Sequence, residues 1–236
     1  MALKKQRIRA FLCNIALVMI AAMIGGVCFF RLETTPVSTE ENIYRSGNAE
    51  RSVSLMFNVY WGGEEVLKIL DVLDKYGAKS TFFIGGSWAD DNISCVKEII
   101  RRGHEIGSHG YFHKDGDQLT LAQNKEEIIL CHRLILLATG YEMRLFAPPS
   151  GAYGDNTLKA AEELGYKVIL WSKDTIDWRD RDANLIYERA KDAHGGDFIL
   201  MHPTEQTVIA LEGLLKHYKK TGLSAVTVSE NLGYGG

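Results

Sequence analysis

The chain has 236 residues, 46% of them hydrophobic and 24% charged, enough apolar content to bury the core of one sizeable domain and unlike a disordered or fibrous polymer. Its formal net charge of −3, with lysines and arginines scattered among acids, supplies no basic field for a phosphate backbone and argues against a nucleic-acid partner.

The first ten residues form a basic flank carrying Lys4, Lys5, Arg7 and Arg9. The run from Phe11 to Phe30 has no charge and one strongly polar side chain, Asn14. As a helix it would be about 30 Å long, the thickness of a bilayer core. A transmembrane anchor over 11–30 is therefore expected, with the flank cytoplasmic and the rest of the chain extracytoplasmic in a single-pass arrangement. A cleaved signal peptide is the competing reading, because Ala21, Ala22, Gly25 and Gly26 fall late in the run. Against it stand the length of the run and the lack of an Ala-x-Ala site, and Val27 before Cys28 fits a lipoprotein site poorly. Both readings export the remainder of the chain. Residues 31–50 are polar, contain Pro36 and show no period, so they read as a linker to a domain over 51–236. Of the cysteines beyond the anchor, Cys95 and Cys131 match no zinc spacing and form no disulfide framework.

From Arg51 onward, β-rich apolar runs at 53–59, 79–84, 104–108, 143–147, 167–171, 197–201 and 225–228 alternate with segments of helical period. Several of those segments close on a glycine, as at Gly77, Gly140 and Gly222. Seven strands alternating with helices predict an α/β fold, a distorted (β/α)7 barrel whose chemistry sits where strands lead into helices. At the third such end His109 and His113 stand four apart, the right reach for two imidazoles to share one divalent metal. The other ends carry Asn58 and Trp61, then Pro149 and Tyr153, then Asp174, Asp177 and Trp178, and finally His202. The bland readings are a hydrogen-bonded core histidine for His104, barrel packing for Phe82 and Phe83, and helix-dipole carboxylates for Glu64 and Glu65.

This ordered set resembles the polysaccharide deacetylases, carbohydrate esterase family four, over about residues 51–231, and looks most like membrane-anchored sporulation and cell-wall members. The resemblance implies a metal-dependent hydrolase, with zinc the expected metal, that removes N- or O-acetyl groups from peptidoglycan or chitin-like sugars. Position by position, it makes His109 and His113 metal ligands and His202 the acid for the leaving amine. Asp177 orients that acid, and Trp178 walls the substrate groove. Trp61, Tyr111, Pro149 and Tyr153 join Trp178 as expected sugar contacts. Two motifs depart from the family. Its Thr-Phe-Asp-Asp-Gly aligns with Met56-Phe57-Asn58-Val59, without either aspartate, and its Arg-Pro-Pro-x-Gly aligns with Ala147 to Gly151, without the arginine. Asn58 at the base position cannot take a proton near neutral pH, and Val59 cannot bind metal. In the family that arginine pairs with the base aspartate, so Asn58 and Ala147 read as one joint change that avoids an uncompensated buried charge. Three readings remain open: a hydrolase with a replacement base (His202, Glu64 or Glu65) and a third ligand from elsewhere (Asp115 or Asp117), a catalytically inactive domain that binds glycan, and a structural module of the envelope.

Overall fold

The computed structural model describes residues 43–234; the expected anchor at 11–30 lies outside them. Among the described residues, no helix is long and apolar enough to cross a membrane. The described residues form nine strands in chain order: β1 Ile43–Tyr44, β2 Ser52–Val59, β3 Thr81–Ile84, β4 Glu105–Ser108, β5 Leu145–Phe146, β6 Lys167–Ile169, β7 Lys173–Asp174, β8 Phe198–Met201 and β9 Ser224–Ala225. They pair in the order β1-β6-β5-β4-β3-β2-β8-β7, with β9 also on β2, and every pairing between them is parallel. The sheet curls into a half-barrel whose outer strands, β1 and β7, are not paired to each other.

Strand β2 is the axis of this sheet. Seven of its eight residues are buried, as a parallel strand covered on both faces requires. Alternation sends Val53, Leu55, Phe57 and Val59 into the large cluster beneath the helices, and Met56 into the inner cluster with Phe83, Ala147, Phe198 and Leu200. Each fully buried valine, leucine, methionine or phenylalanine among them contributes about 1.5–3 kcal/mol. The first helix, α1 (Gly63–Tyr76), seals the outer cluster through Val66, Ile69, Leu70 and Leu73, an i, i+3, i+4, i+7 stripe, and stops at Gly77 in a left-handed conformation (φ 63°). The longest helix among the described residues (Leu121–Thr139) starts from a Thr120–Gln123 capping box.

Three expectations need correction. Residues 43–50 belong to the domain, not to a linker: Ile43 and Tyr44 pair with Val168 and Ile169, and Ser46 bridges Asp197. Sequence period could not show this, because β1 is two residues long. The run at 143–147 yields only Leu145–Phe146 as strand, and that at 225–228 only Ala225. The Thr227 hydroxyl there accepts the Glu230 amide and starts a helix at Val228.

Candidate active site

Parallel register brings the strand ends to one rim: Asn58 lies beside Phe83, Ile84 beside Ser108, Ser108 beside Phe146, and Asp174 beside Leu200. The rim encloses a cleft of about 330 Å³. Its floor is made by Asn58, His109, His113 and Leu200, and its walls by Trp61, Trp171, Trp178, Ser150, Asp174 and His202.

His109 is 2% exposed, and its backbone amide donates to the Ile84 carbonyl at 2.9 Å. Its Nδ1 lies 2.7 Å from the Ala147 carbonyl, an acceptor only, so Nδ1 carries the proton and Nε2 keeps a free lone pair. Burial, reinforced by neighbouring His113, pushes His109 down to about 3, so it is a neutral imidazole at physiological pH. The His113 ring lies 4.9 Å away at 72°. Burial lowers this histidine too, and it sits at φ 58°, a left-handed conformation unusual for a side chain of its size. The loop is held from behind: the buried Glu127 carboxylate accepts from the Tyr111 amide (2.9 Å) and the Phe112 amide (2.8 Å) through the same oxygen.

At the opposite wall, Asp177 is fully buried and accepts three hydrogen bonds. They come from the His202 amide (2.6 Å), His202 Nδ1 (2.7 Å) and the Thr207 hydroxyl (2.6 Å). His202 Nε2 is thereby left for the cleft. Two adjacent aromatic residues cover the histidines. The Tyr60 ring lies 4.6 Å from His113, its hydroxyl accepting from Ser87 at 2.7 Å, and Trp61 stacks on His202 at 5.5 Å and 4°.

The anticipated groups thus converge only in part. Asn58, His109, His113, Trp61, Trp178 and His202 line the cleft, with Asp177 behind His202. The other three expected sugar contacts do not line it. Tyr111 packs against Gly86, Pro149 is buried, and Tyr153 rests on the core and takes a hydrogen bond from Arg45 at 3.2 Å. Ser150, Trp171 and Asp174 line it without having been singled out as contacts, although the polar run after β6 that carries Trp171 and Asp174 was legible as a strand end. Asp174 Oδ1 accepts the Ile176 amide at 2.8 Å. His104 is a core residue as expected, 3% exposed with its ring edge-on to Phe82. Neither ring nitrogen has a hydrogen-bond partner, however, and burial lowers it to about 4. Cys95 and Cys131 are free, buried thiols.

A hydrolytic metal would need a third donor beside the two imidazoles. Among the described residues, no three His, Cys, Asp or Glu side chains converge to hold a metal. Val59 is fully buried with Phe57 beneath the helices and is absent from the cleft lining. The replacement carboxylates do not line the cleft either: Glu64 is exposed on the first turn of α1, Glu65 is 4.0 Å from Lys68, and Asp115 and Asp117 lie beyond the lining. What faces the histidines is Asn58, 3% exposed, whose Oδ1 has no hydrogen-bond partner. Two imidazoles and a neutral amide do not fit a catalytic metal of the deacetylase type.

The pattern of the polysaccharide deacetylase family matches residues 45–169. The chain is 36% identical over 191 residues to the uncharacterized protein YlxY of Bacillus subtilis (strain 168), covering 80% of this chain and 60% of that protein. It is 34% identical to a peptidoglycan-N-acetylglucosamine deacetylase of Bacillus cereus, over 79% of this chain and 91% of the relative. Among solved structures it is similar to BA3943, a CE4 family pseudoenzyme from Bacillus anthracis, with a TM-score of 0.78 and 32% identity over 81% of this chain and 69% of that one. A mutant of that pseudoenzyme with restored enzymatic activity superposes equally well, at TM-score 0.78 and 31% identity over 81% of this chain and 71% of the mutant.

Proposed function

The chain belongs to the polysaccharide deacetylase family, deacetylase-type hydrolases that act on carbon–nitrogen bonds other than peptide bonds, and we propose that its cleft binds peptidoglycan amino sugars while hydrolysis there runs far below that of a complete family site. The carrying observation is that the cleft floor carries neutral Asn58, its Oδ1 buried without a donor, in place of a carboxylate. Loss of one general acid or base typically slows a reaction about 10²- to 10⁴-fold, and a weakly held metal slows it further. Zinc is the metal two imidazoles would suit, bound loosely by two donors. The retained tryptophans supply flat apolar faces for sugar rings. The substrate class comes from the relatives, which include peptidoglycan-N-acetylglucosamine and peptidoglycan-N-acetylmuramic acid deacetylases.

The intact Asp177–His202 dyad favours a second reading, slow deacetylation, since a pure binder has no use for an oriented acid. We further propose the layout the sequence suggests: a basic flank at 1–10, a membrane anchor at 11–30 and the domain outside the cell membrane. The test is calorimetric binding of peptidoglycan fragments beside an acetate-release assay. Binding lost in Trp178→Ala without acetate release supports the first reading. Acetate release that zinc increases and His202→Ala abolishes supports the second. No binding and no release rejects both.

A further inference from the structure

The cleft's charge and donor set differ from those of a site built to receive an acetyl carbonyl. Of its lining residues none is lysine or arginine, and Asp174 is the one formally charged side chain. Lys173 beside it points to the other face of the strand by alternation. Behind the wall stands a second carboxylate, Asp177, fully buried. On the floor, Asn58 Oδ1 is buried without a donor and has no surface open to the cleft, whereas His109 Nε2 presents a lone pair because Nδ1 is committed to the Ala147 carbonyl. Trp61, Trp171 and Trp178 surround these groups. An acetyl carbonyl brings another acceptor into a place already rich in acceptors. An ammonium brings three donors and a positive charge, which carboxylates, lone pairs and indole faces all attract.

We propose that the cleft is selective for amino sugars whose nitrogen is already free, reading the 2-ammonium group of de-N-acetylated glucosamine units through Asp174 and the tryptophan walls. This rests on the glycan-binding reading above and makes the preferred ligand the product of a deacetylase, not its substrate. Charge-assisted hydrogen bonds and a cation over an aromatic face together favour the amine by about tenfold or more.

The test is calorimetry on the full chain in detergent with EDTA present, titrating the glucosamine tetramer and the N-acetylglucosamine tetramer. The expected result is at least tenfold tighter binding of the amine form, falling as salt rises from about 0.05 to 0.5 M. Asp174→Asn keeps an oxygen for the Ile176 amide, so the turn survives, and should bring the two ligands to near equality. If the N-acetylated tetramer binds as tightly or more tightly, the selectivity is refuted while the glycan-binding reading stands. If neither tetramer binds at millimolar concentration, the glycan-binding reading falls and takes this inference with it.

Discussion

Replacing Asn58 with aspartate tests whether the cleft has been rebuilt around a neutral residue. Asn58 is 3% exposed, its Oδ1 lacks a donor, and the position that could have held a counter-charge is Ala147, 0% exposed. A carboxylate there is desolvated and unpaired, and its pKa must rise above the ordinary aspartate value of about 3.9. The two imidazoles trim the penalty by taking up a proton but do not remove it, because burial already holds His109 near 3. Leaving one buried charge without its partner costs about 3–5 kcal/mol. The sign comes from proton linkage. Between the unfolded and folded pKa values the folded variant binds more protons than the unfolded, so Asn58→Asp stability falls as pH rises through that window. The difference from wild type should be small at pH 4 and reach about 3–5 kcal/mol by pH 8 in EDTA, read from urea unfolding. Adding Ala147→Arg should recover at least about 2 kcal/mol of it, a coupling energy of the size neighbouring residues show. A single variant within about 0.5 kcal/mol of wild type at pH 8 would refute the joint-change argument, since that is the scatter of an ordinary surface substitution.

The same variant supplies the third donor that the metal pair lacks. Zinc at one hundred times its Kd should stabilise Asn58→Asp by about 2.7 kcal/mol and leave wild type nearly unmoved, as thermal shift with and without zinc would show. His104, held near 4 by burial, is neutral when folded and charges on unfolding below its ordinary 6.5. Its contribution is present above pH 6.5 and lost as pH falls towards 4, at up to about 1.4 kcal/mol per unit, so His104→Leu should flatten the acid limb of the stability curve. Glu127→Ala leaves the Tyr111 and Phe112 amides without an acceptor and should cost about 1–3 kcal/mol, with faster exchange of those two amides, whereas Glu127→Gln, which retains an oxygen, should cost less.

Much of the sheet was legible because its central strands are buried on both faces and read as largely apolar runs, unbroken in β8. The two-residue strands β1 and β7 were not, being too short for any period and defined only by their partners. The His109 and His113 rings lie 4.9 Å apart, as a four-residue spacing allows, whereas the Asp177–His202 contact joins separate motifs and no spacing set it. Tyr111, Pro149 and Tyr153 were expected at the cleft by adjacency to motifs, but side-chain direction in an irregular loop is set by packing, and theirs went to the core. The ring contacts of Tyr60 with His113 and of Trp61 with His202 carried no signal in sequence, since they join residues far apart in the chain.

The most direct test of the central claim counts acetate released from the N-acetylglucosamine tetramer with zinc or cobalt at saturation. Wild type would run beside the Asn58→Asp/Ala147→Arg variant and the Bacillus cereus relative. The account predicts wild-type turnover at least about 10²-fold below the relative, with a rise in the double variant. Wild-type turnover within about tenfold of the relative, abolished by His202→Ala, would contradict it and show that a base not identified on the cleft floor does the work.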